Sequence, residues 1–130
     1  MSFLKEVKSW IGLDPDSVTV KDQVSEENPL FVYVKIPGNI GPMERGKRFE
    51  DPLQGALSRE HLGEVTGGGS QLADEDTSTI LFCGLDIDVY DVERGIALLR
   101  RELIRLKAPM DTFLLYEVNG QEFEDPLYVN

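Results

Sequence analysis

The stretch from Thr79 to Lys107 constrains this chain most. Leu81, Cys83, Leu85, Ile87 and Val89 alternate with other residues, and Val92, Ile96, Leu99, Leu103 and Leu106 then recur at helical spacing. The apolar period changes from two to about 3.6 within a few residues, so a strand feeds directly into an amphipathic helix. This step anchors the placement of every other segment.

Upstream, Leu30 to Ile36 reads as a strand with Val32, Val34 and Ile36 on one face and Phe31, Tyr33 and Lys35 on the other. Pro37-Gly38-Asn39 ends it. A helix follows, for which Asp51 is the expected N-cap, Pro52 the first residue and Gln54 the capping-box partner. Leu53, Ala56 and Leu57 form its inner stripe, and Leu62-Gly63 stops it. Phe49 continues the stripe upstream and allows a start near Pro42. Glu64 to Leu72 reads as a second strand weakened by Gly67, Gly68 and Gly69, followed by the acidic turn Ala73 to Asp76. Ile80 to Val89 is the third strand. Asp91 caps the second main helix, which runs to about Lys107, where Arg105 and Lys107 suit the negative end of the dipole and Pro109 blocks continuation. Phe113 to Val118 is the fourth strand, Asn119-Gly120 a turn, and the remainder a short tail.

At the start of the chain, Phe3, Leu4, Val7, Trp10 and Ile11 fall on one face of a helix over residues 3 to 11. Gly12 and Asp14-Pro15 end it, and Ser25 to Pro29 is a polar linker. The chain therefore divides into an N-terminal helix and linker, 1–28, and an α+β domain, 29–130. The order β-α-β-β-α-β predicts a ferredoxin-like fold, an antiparallel sheet with two helices on one face, plus the N-terminal amphipathic helix.

The formal net charge is −11, from 24 acidic and 13 basic residues. Residues 92 to 107 alone carry +3, which leaves −14 on the rest. This balance opposes nucleic acid, where phosphate contacts need clustered Lys and Arg. It disfavours anionic membrane surfaces equally, and no apolar run approaches the roughly 18 residues of a membrane span. Charge interrupts the first residues before a signal-peptide core forms. The single cysteine, Cys83, excludes an internal disulfide and shares parity with Leu81 and Leu85, so it reads as a small buried hydrophobe. A reduced, cytoplasmic setting is expected.

The run Leu62 to Ser70, then Asp86-Ile87-Asp88-Val89, then Leu98-Leu99 through Ala108-Pro109, resembles small uncharacterised bacterial proteins. That resemblance implies a ferredoxin-like fold and no particular activity. In fold and charge the domain is also similar in kind to the acidic inhibitors of ribonucleases and to immunity proteins.

Several residues are candidates for chemistry. Asp86 and Asp88 lie two apart on one strand and share a face, where paired carboxylates can hold a proton or a divalent cation. A solvated sheet face explains them as well. Gly67-Gly68-Gly69-Ser70 permits close approach of a ligand or partner to the backbone, or marks a bulge. A phosphate loop would open a helix and end in Lys-Ser/Thr, which this run does not. His61, the only histidine, sits at a helix end with no cluster around it. Arg94, Arg101 and Arg105 lie near one another on the second helix, paired locally or facing an acidic partner. No catalytic set, metal site or cofactor motif is expected.

The open sheet face is the most useful pattern. Phe31 and Tyr33 on the first strand, and Ile80 and Phe82 on the third, have the parity opposite to the core. Aromatics on paired central strands resemble the base-stacking platform of RNA-recognition domains, but Lys35, Asp86 and Asp88 give this face net −1. Something apolar should cover it: the N-terminal stripe of Phe3, Val7, Trp10 and Ile11, a homodimer packed sheet to sheet, or another partner. The expected function is non-enzymatic, an acidic interaction or inhibitor module that binds a basic protein. The alternative is a dimeric small-molecule-binding protein or enzyme with a cleft near Gly67 to Ser70 and Asp86.

Overall fold

The structure, a computed structural model, describes residues 23–76 and 78–129. The expected N-terminal helix with Phe3, Val7, Trp10 and Ile11 lies outside these. The described chain is α+β. Strand β1 (Leu30–Pro37) leads to a short helix α1 (Pro42–Arg45), a π-helical turn (Gly46–Glu50) and helix α2 (Asp51–Glu60). Strands β2 (Gly63–Leu72) and β3 (Ile80–Val89) follow, then helix α3 (Val92–Arg105) and strands β4 (Phe113–Val118) and β5 (Gln121–Pro126). The strands form one five-stranded antiparallel sheet in the order β2-β3-β1-β4-β5.

Alternation decides which face is covered. Val32, Val34 and Ile36 of β1 and Cys83, Leu85, Ile87 and Val89 of β3 are buried, and they form one core with Leu53 and Leu57 of α2 and Leu98, Leu99 and Leu103 of α3. Both helices thus cover the same sheet face, and each buried Leu or Ile contributes roughly 1.5–3 kcal/mol. Burial pushes the Cys83 thiol above its ordinary value, as an inert core position requires. Leu81 has the inward parity yet is 52% exposed; it lies beyond the last β1 pair, Pro37 with Phe82, and at the register shift of β2 between Gln71 and Leu72.

Two local expectations need correction. Asp51 is not an N-cap: its φ and ψ of −63° and −48° are helical, and the backbone is already coiled from Pro42 onward. Phe49, fully buried, holds that upstream turn against the core. Gln54 does not close a capping box. Its Oε1 accepts from the Val65 N–H at 2.8 Å and so ties α2 to β2. The second correction concerns the tail, which is strand β5. Asn119 and Gly120 both have positive φ, 54° and 78°, and turn the chain into a tight hairpin. Phe123 is buried and stacks on Tyr116 at 5.4 Å between ring centroids. Arg100 of α3 pairs with Asp125 at 2.9 Å and donates to the Pro126 and Leu127 carbonyls at 3.0 and 2.9 Å. Burial nonetheless raises the Asp125 carboxyl above its ordinary value, against the pull of Arg100.

The cap of α3 is as expected, with the Asp91 carboxylate accepting from the Arg94 N–H at 2.8 Å. Among the described residues no helix is long and apolar enough to cross a membrane.

Candidate functional site

The sheet face opposite α2 and α3 gathers most of the candidate residues into rows, because registered strands place partners side by side. One row runs Gly67, Asp86, Tyr33, Leu115 and Glu124 across all five strands. The next runs Gly69, Gly84, Lys35, Phe113 and Pro126. Phe82 lies beyond, opposite Pro37 and Gln71, with the Lys35 ammonium 4.4 Å from its ring centre. Ile80 ends the strand opposite Leu72, its N–H bonded to the Asn39 Oδ1 at 2.8 Å. Phe31, half exposed at 50%, stands opposite Asp88, which in turn faces Glu64.

The centre of this face is apolar: Phe31, Tyr33, Phe82, Phe113 and Leu115. Phe113 and Leu115 were not singled out from the sequence. Their signal was the parity of β4, in which Leu114 and Tyr116 are buried and their neighbours are therefore outward. The Tyr33 ring packs against Gly84, where an added Cβ would collide with the Tyr33 ring and its hydroxyl. Burial first, and then the Asp86 carboxylate, push the Tyr33 hydroxyl above its ordinary value.

Around this centre the charges are acidic. Glu64 and Asp88 are direct cross-strand partners, and so are Glu117 and Glu122. Like charges directly opposite one another are unfavourable by several tenths of a kcal/mol. Glu124, opposite Leu115, extends the same rim. A hollow of about 1030 Å³ runs along β1, β4 and β5 between Phe31, Tyr33, Leu115 and the rim residues Glu117, Glu122 and Glu124.

The glycine run divides between the two faces. Gly67 and Gly69 lie opposite Asp86 and Gly84 on the open side, whereas Gly68 and Ser70 lie opposite Leu85 and Cys83 on the helix side. Thr66 is the extra residue of a bulge between Val65 and Gly67. On the helix side Arg45 pairs with Glu50 at 2.8 Å and donates to the Ser70 Oγ at 3.3 Å. That pair crosses directly over Gly68, where a Cβ would meet the Glu50 carboxylate at 2.7 Å. The glycine is explained by this close approach, and the Ser70 hydroxyl is turned away from Asp86. A small hollow of about 290 Å³ does bring Asp86 together with Tyr33, Phe82 and residues Gly68 to Gln71. Asp88 lies outside it, one row further along.

The remaining candidates have structural partners. His61 takes the left-handed conformation at the end of α2 (φ 53°) and bonds Glu26 at 2.9 Å. Arg101 reaches Glu60 of α2 at 2.9 Å and so bridges α3 to α2, while Arg105 pairs with Glu102 within α3 at 2.7 Å. Arg94 is exposed. Among the described residues no group of three or more His, Cys, Asp or Glu is placed to hold a metal ion.

Fold and face together define an α+β domain with one sheet face packed by α2 and α3 and the other left open by the remaining described elements, apolar at its centre and acidic at its rim. No protein-family model matches the chain, and neither a curated protein nor a solved structure shows significant similarity to it.

Proposed function

We propose that this protein is a non-enzymatic interaction module that binds a basic protein through the open face of its sheet, in the manner of acidic inhibitor and immunity proteins. The observation that carries the reading is the pair of facing carboxylate couples, Glu64 with Asp88 and Glu117 with Glu122, on either side of an apolar centre. Uncompensated carboxylates set around desolvatable aromatics are what a partner with an apolar anchor and flanking Lys or Arg would complement. We read the frame as ferredoxin-like, with β5 added beside β4. The order β2-β3-β1-β4 and the helices α2 and α3 between the strands support that reading.

The test is capture from the native host's lysate by the full chain, eluted over a salt gradient, in parallel with a Glu117→Lys/Glu122→Lys variant. A basic protein held by the wild type, released as salt rises and lost by the variant is the expected result. A partner that the variant holds equally well, or that no salt releases, counts against it. The hollow beside Asp86 and Tyr33 favours a second reading, a small polar ligand. Its test is a thermal-shift screen in which Asp86→Asn abolishes any stabilisation found.

A further inference from the structure

The small hollow beside Asp86 has the chemistry of a cation site. We infer that it binds an alkylammonium group, with the Asp86 carboxylate as counter-ion and the rings of Tyr33 and Phe82 as apolar walls. This rests on the reading of that hollow as the site of a small polar ligand, and it names the ligand's charged group.

Tyr33, Phe82 and Asp86 meet in one hollow although they lie on two strands, and residues Gly68 to Gln71 of a third strand close it. Among the described residues the Asp86 carboxylate makes neither an ion pair nor a hydrogen bond, since the Thr66 hydroxyl donates at 3.2 Å to the Asp86 backbone carbonyl instead. Gly67 stands opposite, where a Cβ would come within 3.2 Å of the Asp86 Oδ2, so the glycine leaves that side of the carboxylate uncovered. A half-buried carboxylate in this position gains from a cation that can donate to it. The rings favour the same charge. The Lys35 ammonium already stands 4.4 Å from the centre of the Phe82 ring, inside the roughly 6 Å over which a ring face attracts a cation. Lys35 itself does not line the hollow. The Tyr33 hydroxyl, held above its ordinary value by burial and by Asp86, is neutral near pH 7 and adds no competing charge. An anion would meet Asp86, and a purely apolar ligand would bury that carboxylate unpaired. At about 290 Å³ the hollow falls just below the roughly 300–1,000 Å³ of drug-sized ligand pockets, which suits a group of a few heavy atoms. The net charge of −11 raises the local concentration of cations.

The test is backbone amide NMR of the full-length protein titrated with n-propylammonium chloride, against sodium chloride at the same ionic strength. Saturable shifts at Gly68 to Gln71, Phe82 and Asp86 are expected. Asp86→Asn keeps the shape and removes the charge, and should weaken the binding about tenfold. Lys35→Met removes the resident cation from the Phe82 ring and should tighten it severalfold, a gain that loss of a merely structural lysine would not give. Phe82→Leu, which should weaken it severalfold, is the further variant should Asp86→Asn fail to fold. No saturable shift beyond the sodium control overturns the inference, as does an affinity indifferent to Asp86→Asn and Lys35→Met. Sodium propionate binding at these residues in place of the amine also overturns it, while leaving the reading of the hollow as a small-ligand site standing. A free amine and a lysine of the basic partner carry the same group. Asp86→Asn in the capture experiment separates them: loss of the partner assigns the hollow to a lysine side chain, and retention of the partner by a variant that no longer binds propylammonium assigns it to a free amine.

Discussion

Gly84 and Tyr33 show how one residue prepares the open face. Gly84 lies mid-strand in β3, where glycine usually weakens pairing, yet it is buried beneath the Tyr33 ring. The missing side chain leaves room for the ring and extends the apolar centre toward Phe82. Gly84→Ala should cost about 1–3 kcal/mol in urea unfolding, because the ring must lift. In a Tyr33→Ala background the same substitution should cost far less, the sign of a shared contact. Equal costs in both backgrounds would show that the ring is not what Gly84 accommodates. The sequence made Tyr33 legible as outward-facing by parity alone. It did not reveal the cover over Gly84, since the two residues lie on different strands and meet only in the register of β1 with β3.

Helix α3 is the element read most completely from sequence: its Asp91 cap, apolar stripe and basic end all follow from local spacing. Glu102 is the exception. It lies in that helix with three arginines close by, Arg59 of α2 and Arg101 and Arg105 of α3. The Arg105 hydrogen bond is first among the causes that hold its carboxyl below the ordinary value of 4.5. A lowered carboxyl stabilises the fold in full above the ordinary glutamate range, and the contribution is lost as pH falls through the lowered value. Glu102→Gln should therefore cost about 1 kcal/mol near neutrality, and the difference from wild type should vanish in strong acid. Chemical denaturation at a series of pH values checks this, and a cost independent of pH would refute the assignment. β5 was less legible. Asn119-Gly120 called for a returning strand, but Gln121 to Pro126 carries four polar or charged residues and lacks the apolar alternation that marks β1 and β3. Its stability comes from partners remote in sequence, Arg100 and Tyr116. The start of α2 misled for a related reason: Asp51-Pro52 is a strong local cap signal, and burial of Phe49 overrides it.

For the molecule as a whole, 24 acidic residues against 13 basic ones leave an excess of 11 negative charges. Self-repulsion should then outweigh the few surface ion pairs. Raising ionic strength from about 0.01 to 0.15 M, which shortens the screening length from about 30 to 8 Å, should raise the melting temperature. A melting temperature that falls over that range would mean the surface ion pairs dominate. The sequence by itself determined the net charge, the periods of β1, β3 and α3, and which side of β1 and β3 faces the core, because these depend on residues close together in the chain. Only the tertiary structure decided that Glu64 meets Asp88 and Glu117 meets Glu122, that Ser70 turns to Arg45 and not to Asp86, and that Phe113 and Leu115 complete the apolar centre. Each of those facts depends on the registers between strands, and register is fixed by the packing of the whole sheet against α2 and α3.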